Sequence, residues 1–261
     1  MIPERDIVAW SQNFPWTKNA FIEQDMVICR TLVSIFSDPF LAERFAFRGG
    51  TAIHKLHFSP QARYSEDIDL VQVEPGPVKP AIERLGEVLG WLPRKSVEMR
   101  RFGFRMKFRY ESEMQPVVPM RLKVEVNTYE HFSVMGYRSV PFSMRSPWFS
   151  GECLVKTYSL DELMGTKLRA MYQRKKGRDL FDMNYALPRI DPGAVISAWE
   201  QYMTARGGTL PTREQFVENM QAKLLLREYL EDVKPLLRKE IVFDPISAYA
   251  EVERTILSFL K

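Results

Sequence analysis

Two stretches of the chain alternate strictly between apolar and charged residues, and that period of two commits its first half to a sheet. Phe102, Phe104, Met106, Phe108 and Tyr110 interleave with Arg105, Lys107 and Arg109. Met120, Leu122, Val124 and Val126 interleave with Arg121, Lys123 and Glu125. Successive side chains of a strand point to opposite faces, so each run reads as a half-buried strand with a charged outer face. The spacing places Phe102 with Phe104 on the core side, not on a base-stacking surface. A third run, Asp67-Ile68-Asp69-Leu70, sends two acids one way and two aliphatic side chains the other.

From Ser159 onward apolar residues recur at the helical period instead. Pro147 and Gly151 interrupt both patterns. The chain is therefore expected to divide into a sheet-containing domain over residues 1–150 and a helical lobe over residues 151–261, an α/β (α+β) class. Near the start, Met26, Val27, Leu32, Val33 and Phe36 share one helical face, which Asp38-Pro39 terminates. Ser159 with Glu162, and Thr212 with Gln215, have capping-box spacing. The second is expected to open a helix running toward Glu231, and residues 246–260 read as a last helix.

Composition excludes several classes. Of the 261 residues 45% are apolar and 27% charged, enough to bury a core and unlike a disordered chain. The net charge of +4 permits an anionic partner without demanding one. Cys29 and Cys153 alone make no disulfide framework, which points to a reducing compartment. No apolar signal region follows the first residues, and no run of 18 apolar residues occurs. A soluble cytoplasmic protein is expected.

Asp67 and Asp69 share a strand face, and two like charges at that range repel by roughly 1–4 kcal/mol. A divalent cation between them removes the penalty. A bare Asp-x-Asp is commonly two solvated acids, but here it follows Arg48-Gly49-Gly50-Thr51-Ala52 and a short helical stretch over residues 53–57. Adjacent glycines before a helix present backbone N–H groups at its positive end, which forms a phosphate cradle. Glu125, on the polar face of its strand, is the expected third acid, although it can equally pair with Lys123 or Arg121. Three acids and nucleotide phosphates would hold one or two Mg²⁺ ions.

In the helical half, Lys167 lies inside the apolar stripe of Leu160, Leu163, Met164, Leu168 and Met171. It must snorkel to the surface or meet an anion, and a triphosphate would serve. Residues 167–178 carry six basic side chains and no acid, and Arg178 and Asp182 stand at i, i+4 as a candidate helix-surface pair. Residues 94–109 carry seven basic side chains and one acid, Glu98. Such runs are either solvated faces or tracks for a phosphate backbone.

The blocks Arg48-Gly49-Gly50-Thr51-Ala52, Arg63-x-Ser65-x-Asp67-x-Asp69, Lys123-x-Glu125-Val126, Asp161-Glu162-Leu163-x-x-Thr166-Lys167-Leu168-Arg169-Ala170 and Lys176-Gly177-Arg178-Asp179-Leu180-Phe181-Asp182 occur in this order. Together they resemble the AbiEii/AbiGii-type nucleotidyltransferase toxins, of the DNA polymerase β-like superfamily, over roughly residues 45–186. The resemblance implies a nucleotidyltransferase-fold mixed sheet with flanking helices and a C-terminal helical lobe. It implies that Asp67 and Asp69 bind Mg²⁺, that Gly49, Gly50 and Ser65 hold phosphates, and that Lys167 binds the NTP. Where many nucleotidyltransferases carry Gly-Ser, this chain has Gly50-Thr51, whose hydroxyl can also donate to phosphate. Either Asp179 or Asp182 is expected to complete the site, with Arg178 beside the nucleotide. The implied activity is transfer of a nucleotide from an NTP to RNA, at the 3′ end of tRNA, by a toxin with a cognate antitoxin and a place in phage defence. The alternatives are transfer to a small-molecule or protein hydroxyl, and a non-catalytic relative that binds nucleotide or a partner. The joint presence of Asp67, Asp69, Glu125 and Lys167 argues against the last.

Overall fold

The computed structural model describes residues 1–14, 16–205 and 207–260. The chain forms two compact units, Met1–Phe132 with Tyr137–Tyr158, and Ser133–Gly136 with Ser159–Lys261.

The first unit holds one mixed sheet of β1 (Phe45–Arg48), β2 (Asp67–Gln72), β3 (Lys95–Arg100), β4 (Gly103–Glu111), β5 (Pro119–Asn127), β6 (Arg138–Arg145) and β7 (Ser150–Thr157). The strand order is β3-β4-β5-β2-β1-β7-β6. The β2–β5 and β1–β7 pairs are parallel and the others antiparallel. Strand β7 pairs with β1 through Phe47 and Thr157, so the chain after residue 150 still belongs to the sheet.

The helices of this unit are α1 (Glu4–Ser11), α2 (Asn19–Ser37), α3 (Pro39–Arg44), α4 (Gly49–Ala52), which continues as a π-helical turn over Ile53–His57, and α5 (Lys79–Val88). Helix α2 packs against β5, β6 and β7. Its Met26, Ile28 and Leu32 are buried, as are Phe104, Met106 and Phe108 of β4 and Leu122 and Val124 of β5. The alternating runs thus bury the faces that their period assigns to the core.

Phe102 departs from that pattern. Strand β4 begins one residue later, and Phe102 lies in the turn after β3 with 43% of its surface exposed. Gly103 is the reason. Its φ is +151°, and a Cβ there would stand 1.8 Å from the Val126 carbonyl oxygen. Only glycine allows that close approach, and the turn it makes carries Phe102 out of the strand's alternation.

Helix α2 also buries acids. Asp25 accepts from Lys55 at 2.6 Å and from the Trp10 indole at 3.0 Å, which ties α1 and the 53–57 turn to α2. Glu23 accepts the Glu113 N–H at 2.9 Å, while its buried Oε1 has no hydrogen-bond partner among the described residues. Burial raises its carboxyl to about 7, against smaller lowering effects from a backbone bond and the N-terminal ammonium. The folded protein therefore keeps a proton that the unfolded chain releases near pH 4.5. The associated stability is complete below that value and is lost as pH rises through about 7. Glu23→Gln is expected to abolish this pH slope in urea-unfolding free energies. At pH 8 it should exceed the native protein by about 2–3 kcal/mol. Identical slopes for the two proteins between pH 5 and 8 would refute the assignment.

The second unit is helical: α6 (Leu160–Gln173), α7 (Gly177–Ala186), α8 (Pro192–Thr204), α9 (Arg213–Leu224), α10 (Arg227–Glu231) and α11 (Pro245–Thr255). Thr212 and Gln215 complete both halves of a capping box. The helix they open stops at Leu224 and resumes as α10, short of the single helix expected. Ser159 caps Glu162 N–H at 3.2 Å, but the Glu162 side chain does not return to the cap. It accepts from Ser133 Oγ and Val134 N–H, both at 2.7 Å, from Met135 N–H at 3.0 Å and from the Tyr202 hydroxyl at 2.8 Å. This buried carboxylate stitches residues 133–136 to the helices. Helix α11 ends at Thr255 and a 3₁₀ turn, Leu257–Phe259, follows. Among the described residues no helix is long and apolar enough to cross a membrane.

Candidate active site

Strand β1 ends at Arg48, directly opposite Asp69 of β2. The next residue, Gly49, has φ +80°, and a Cβ there would stand 2.3 Å from Asp69 Oδ2. A side chain at this position would be both strained and in collision with the carboxylate, so the turn requires glycine. A Cβ on Gly50 would meet Arg63 Nη2 at 2.6 Å and Ser65 Oγ at 3.3 Å. Thr51 Oγ1 lies 2.9 Å from Ser65 Oγ and donates to the Asp67 carbonyl at 2.5 Å. The structure thus brings Gly49, Gly50, Thr51, Ser65, Asp67 and Asp69 to one corner, where β1 turns into α4 and β2 begins. The Lys55–Asp25 pair anchors the same turn to α2.

Asp67 Oδ2 accepts from Lys123 Nζ at 3.0 Å. Its Oδ1 is buried and has no hydrogen-bond partner among the described residues. A buried carboxylate oxygen with no protein partner is suited to a cation or a water. Glu125 stands opposite Asp69 on one side and Arg105 on the other, and its Oε1 lies 2.6 Å from Arg105 Nη2. The register therefore aligns the three acids, but the side chains do not converge. Among the described residues no three His, Cys, Asp or Glu side chains are gathered as a ligand set. Lys123 and Arg105 neutralise the outer acids in their place. Alternation showed both cations on the charged face, but only strand register could pair them with these carboxylates. Asp69 and Glu125 line a cavity of about 250 Å³, together with Arg48, Arg100, Arg101 and Phe102.

In the helical unit Lys167 is buried, and its Nζ lies 3.0 Å from Asp179 Oδ1 and 2.9 Å from Asp182 Oδ2. The anion that its place in an apolar stripe demands is thus present within its own unit. Arg174 adds bonds to Asp179 of 2.6 and 2.7 Å. Burial alone would raise the Asp179 carboxyl, but Lys167 and Arg174 outweigh it and hold it below the usual carboxylate range. The expected Arg178–Asp182 pair does not form. Arg178 turns to Asp232, through its backbone N–H at 3.2 Å and its Nε at 3.5 Å, because Asp182 faces inward to Lys167. Lys176 reaches Asp232 as well, at 3.6 Å, so much of the 167–178 basic run is neutralised internally.

Comparison with solved structures gives likeness of fold. MenT4, a nucleotidyltransferase toxin from Mycobacterium tuberculosis H37Rv, aligns with a TM-score of 0.59 at 18% identity, covering 98% of this chain and 88% of that one. A putative nucleotidyltransferase from H. pylori aligns with a TM-score of 0.56 at 13% identity, covering 92% and 94%. No curated protein sequence matches. The family model for the nucleotidyl transferase AbiEii toxin of type IV toxin–antitoxin systems matches residues 30–251. That span is well over half of the chain and includes both the glycine–aspartate corner and the lysine–aspartate cluster, so the protein belongs to the AbiEii family of nucleotidyltransferase toxins.

Proposed function

We propose that this toxin transfers a nucleotide from an NTP to an RNA 3′-hydroxyl, that of tRNA, with Mg²⁺ held by Asp67 and Asp69. The observation that carries the reading is the pair of carboxylates on one face of β2, with Gly49 pressed against Asp69 and Asp67 Oδ1 buried without a partner. An orphan anionic oxygen beside a second carboxylate fits a hard divalent cation. Glu125 is the expected third ligand. Bound there, Mg²⁺ would offset the phosphate charge and the charge that develops during transfer.

The chain's own groups have separate tasks in this reading. The Gly49 and Gly50 amides and the Ser65 hydroxyl hold the phosphates. Thr51, committed to the Asp67 carbonyl, fixes the turn. Glu125 takes the proton of the attacking hydroxyl once Arg105 releases it; the new O–P bond forms at the α-phosphorus and pyrophosphate leaves. The family implies a cognate antitoxin as partner.

An RNA acceptor is favoured by the sheet's charged face. Arg109 and Arg121 are directly opposite across β4 and β5, and like charges so placed are destabilising unless an anion lies between them. Among the described residues neither has a carboxylate partner. With Arg94 they line a groove of about 580 Å³, three cations against the carboxylates of Glu66 and Glu111, and Glu66 adjoins Asp67 in sequence. Phosphodiesters suit this site, whereas a small acceptor would leave it empty.

The test is incubation with each labelled NTP, Mg²⁺ and total RNA, followed by a gel. Arg109→Gln with Arg121→Gln is expected to reduce RNA labelling about tenfold near 0.1 M salt and to flatten its salt dependence by about two counterions. NTP binding should stay unchanged. Equal labelling and an equal salt slope would instead favour a small-molecule or protein hydroxyl as acceptor.

A further inference from the structure

We infer that Phe102, which lines the Asp69–Glu125 cavity with Arg101, and Tyr129, which packs on Phe102, form a nucleobase-stacking platform beside that cavity; this rests on the reading of that cavity as the transfer site. The two rings are exposed, 43% for Phe102 and 41% for Tyr129, on a unit that buries the rest of the alternating aromatic run. Their centroids are 4.5 Å apart with planes inclined by 38°. The Arg101 guanidinium lies 4.9 Å from the Phe102 centroid, and no carboxylate partners it among the described residues. Phe102 and Arg101 line the same cavity as Asp69 and Glu125.

The rings stand on pinned turns, not on loose loops. Phe102 precedes Gly103, whose backbone abuts Val126, and the Phe102 carbonyl accepts the Thr128 N–H at 3.0 Å. Asn127 Oδ1 accepts the N–H groups of Tyr129 at 2.9 Å and Glu130 at 2.8 Å. Glu130 in turn holds Arg48 at 2.5 Å, and Arg48 is the residue opposite Asp69. One chain of bonds therefore joins the aromatic pair to the catalytic strand.

An exposed aromatic face beside an unneutralised guanidinium is the surface on which bases stack, and it accepts any base because each has a π-face. A nucleotidyltransferase brings two bases to its site, that of the incoming NTP and that of the acceptor's last residue. The platform suits either, and the chemistry is the same.

The experiment compares Phe102→Ala, Phe102→Leu and Phe102→Trp with the native protein. Calorimetric titration with ATP, GTP, CTP and UTP gives the affinity for the NTP base, and KM for a short single-stranded RNA gives that for the acceptor base. Loss of one stack is expected to weaken one of the two by about tenfold in both the Ala and Leu variants, while Trp restores it. A change in NTP affinity places the incoming base on the platform; a change confined to the RNA KM places the acceptor base there. Fluorescence of the indole that Phe102→Trp introduces, taken as the difference from the native protein, should be quenched by the same ligand, a readout that needs no turnover. Native-like constants in all three variants without quenching would overturn the platform and leave nucleotide transfer standing. Absence of transfer by the native protein would instead fault the reading of the site, with quenching still reporting on the platform.

Discussion

Replacing Lys167 by methionine is expected to destabilise the protein by about 3–5 kcal/mol, the cost of removing one partner from a buried ionic cluster. Sequence considerations give the opposite sign, because methionine suits the apolar stripe in which Lys167 lies. The structure reverses the expectation through Asp179 and Asp182, both fully buried and both within 3.0 Å of the lysine ammonium. Methionine would leave these carboxylates in the helical core with Arg174 as the cation bonded to Asp179. The pH dependence adds a second signature. In the native protein Asp179 is held below its ordinary value near 3.8, so its contribution is present above that pH and is lost as pH falls through the lower folded value. In Lys167→Met one of the two cations that oppose burial is gone, so the Asp179 carboxyl rises relative to the native protein. The variant's deficit should therefore be greatest near pH 7 and shrink toward pH 4, as protonation of Asp179 removes charge that Lys167 balances in the native protein. Urea unfolding at the two pH values measures both effects. A variant within about 1 kcal/mol of native at pH 7 would mean that the cluster is not what holds α6 to α7.

Periodicity carried most of the architecture. Strict alternation located β4 and β5, and the change to helical spacing after Ser159 marked α6, whereas the boundary expected at residue 150 falls at the start of β7. The same signal failed at Phe102, because alternation records which residues are apolar and cannot register a backbone contact such as that of Gly103 with Val126. Strands β6 and β7 were not legible for a related reason. Both have mixed burial at the far side of the sheet, and Pro141 and Gly151 blur their pattern. At the site, the acids and glycines were visible because they are unusual in their positions. Their counter-ions were not, since Lys123 and Arg105 look like any residues of a charged face until register sets them against Asp67 and Glu125. Lys167 shows the same limit. An apolar stripe announces that a buried lysine needs an anion, but the partner's identity is a tertiary fact.

Asp69→Asn is expected to lower nucleotide transfer by about a thousandfold while leaving the fold intact. The substitution keeps the size and shape of a side chain that touches Gly49, so the turn after β1 is undisturbed. What it removes is one negative charge of the pair on β2. If that pair binds Mg²⁺, the loss falls on charge stabilisation in the transition state, worth several kcal/mol, and about 4 kcal/mol is three factors of ten in rate. Gly49→Ala approaches the same carboxylate from the other side. Its Cβ would stand 2.3 Å from Asp69 Oδ2, and the residue would have to hold φ +80°. Displacing the carboxylate in this way should also suppress transfer, but with a loss of stability that Asp69→Asn does not share. Mg²⁺ titration of the folded proteins, followed by calorimetry in the presence of NTP, separates the effects. Native affinity in a fully folded but inactive Asp69→Asn protein would assign Asp69 to a step other than metal binding. Native activity in that protein would remove the β2 pair from the mechanism altogether.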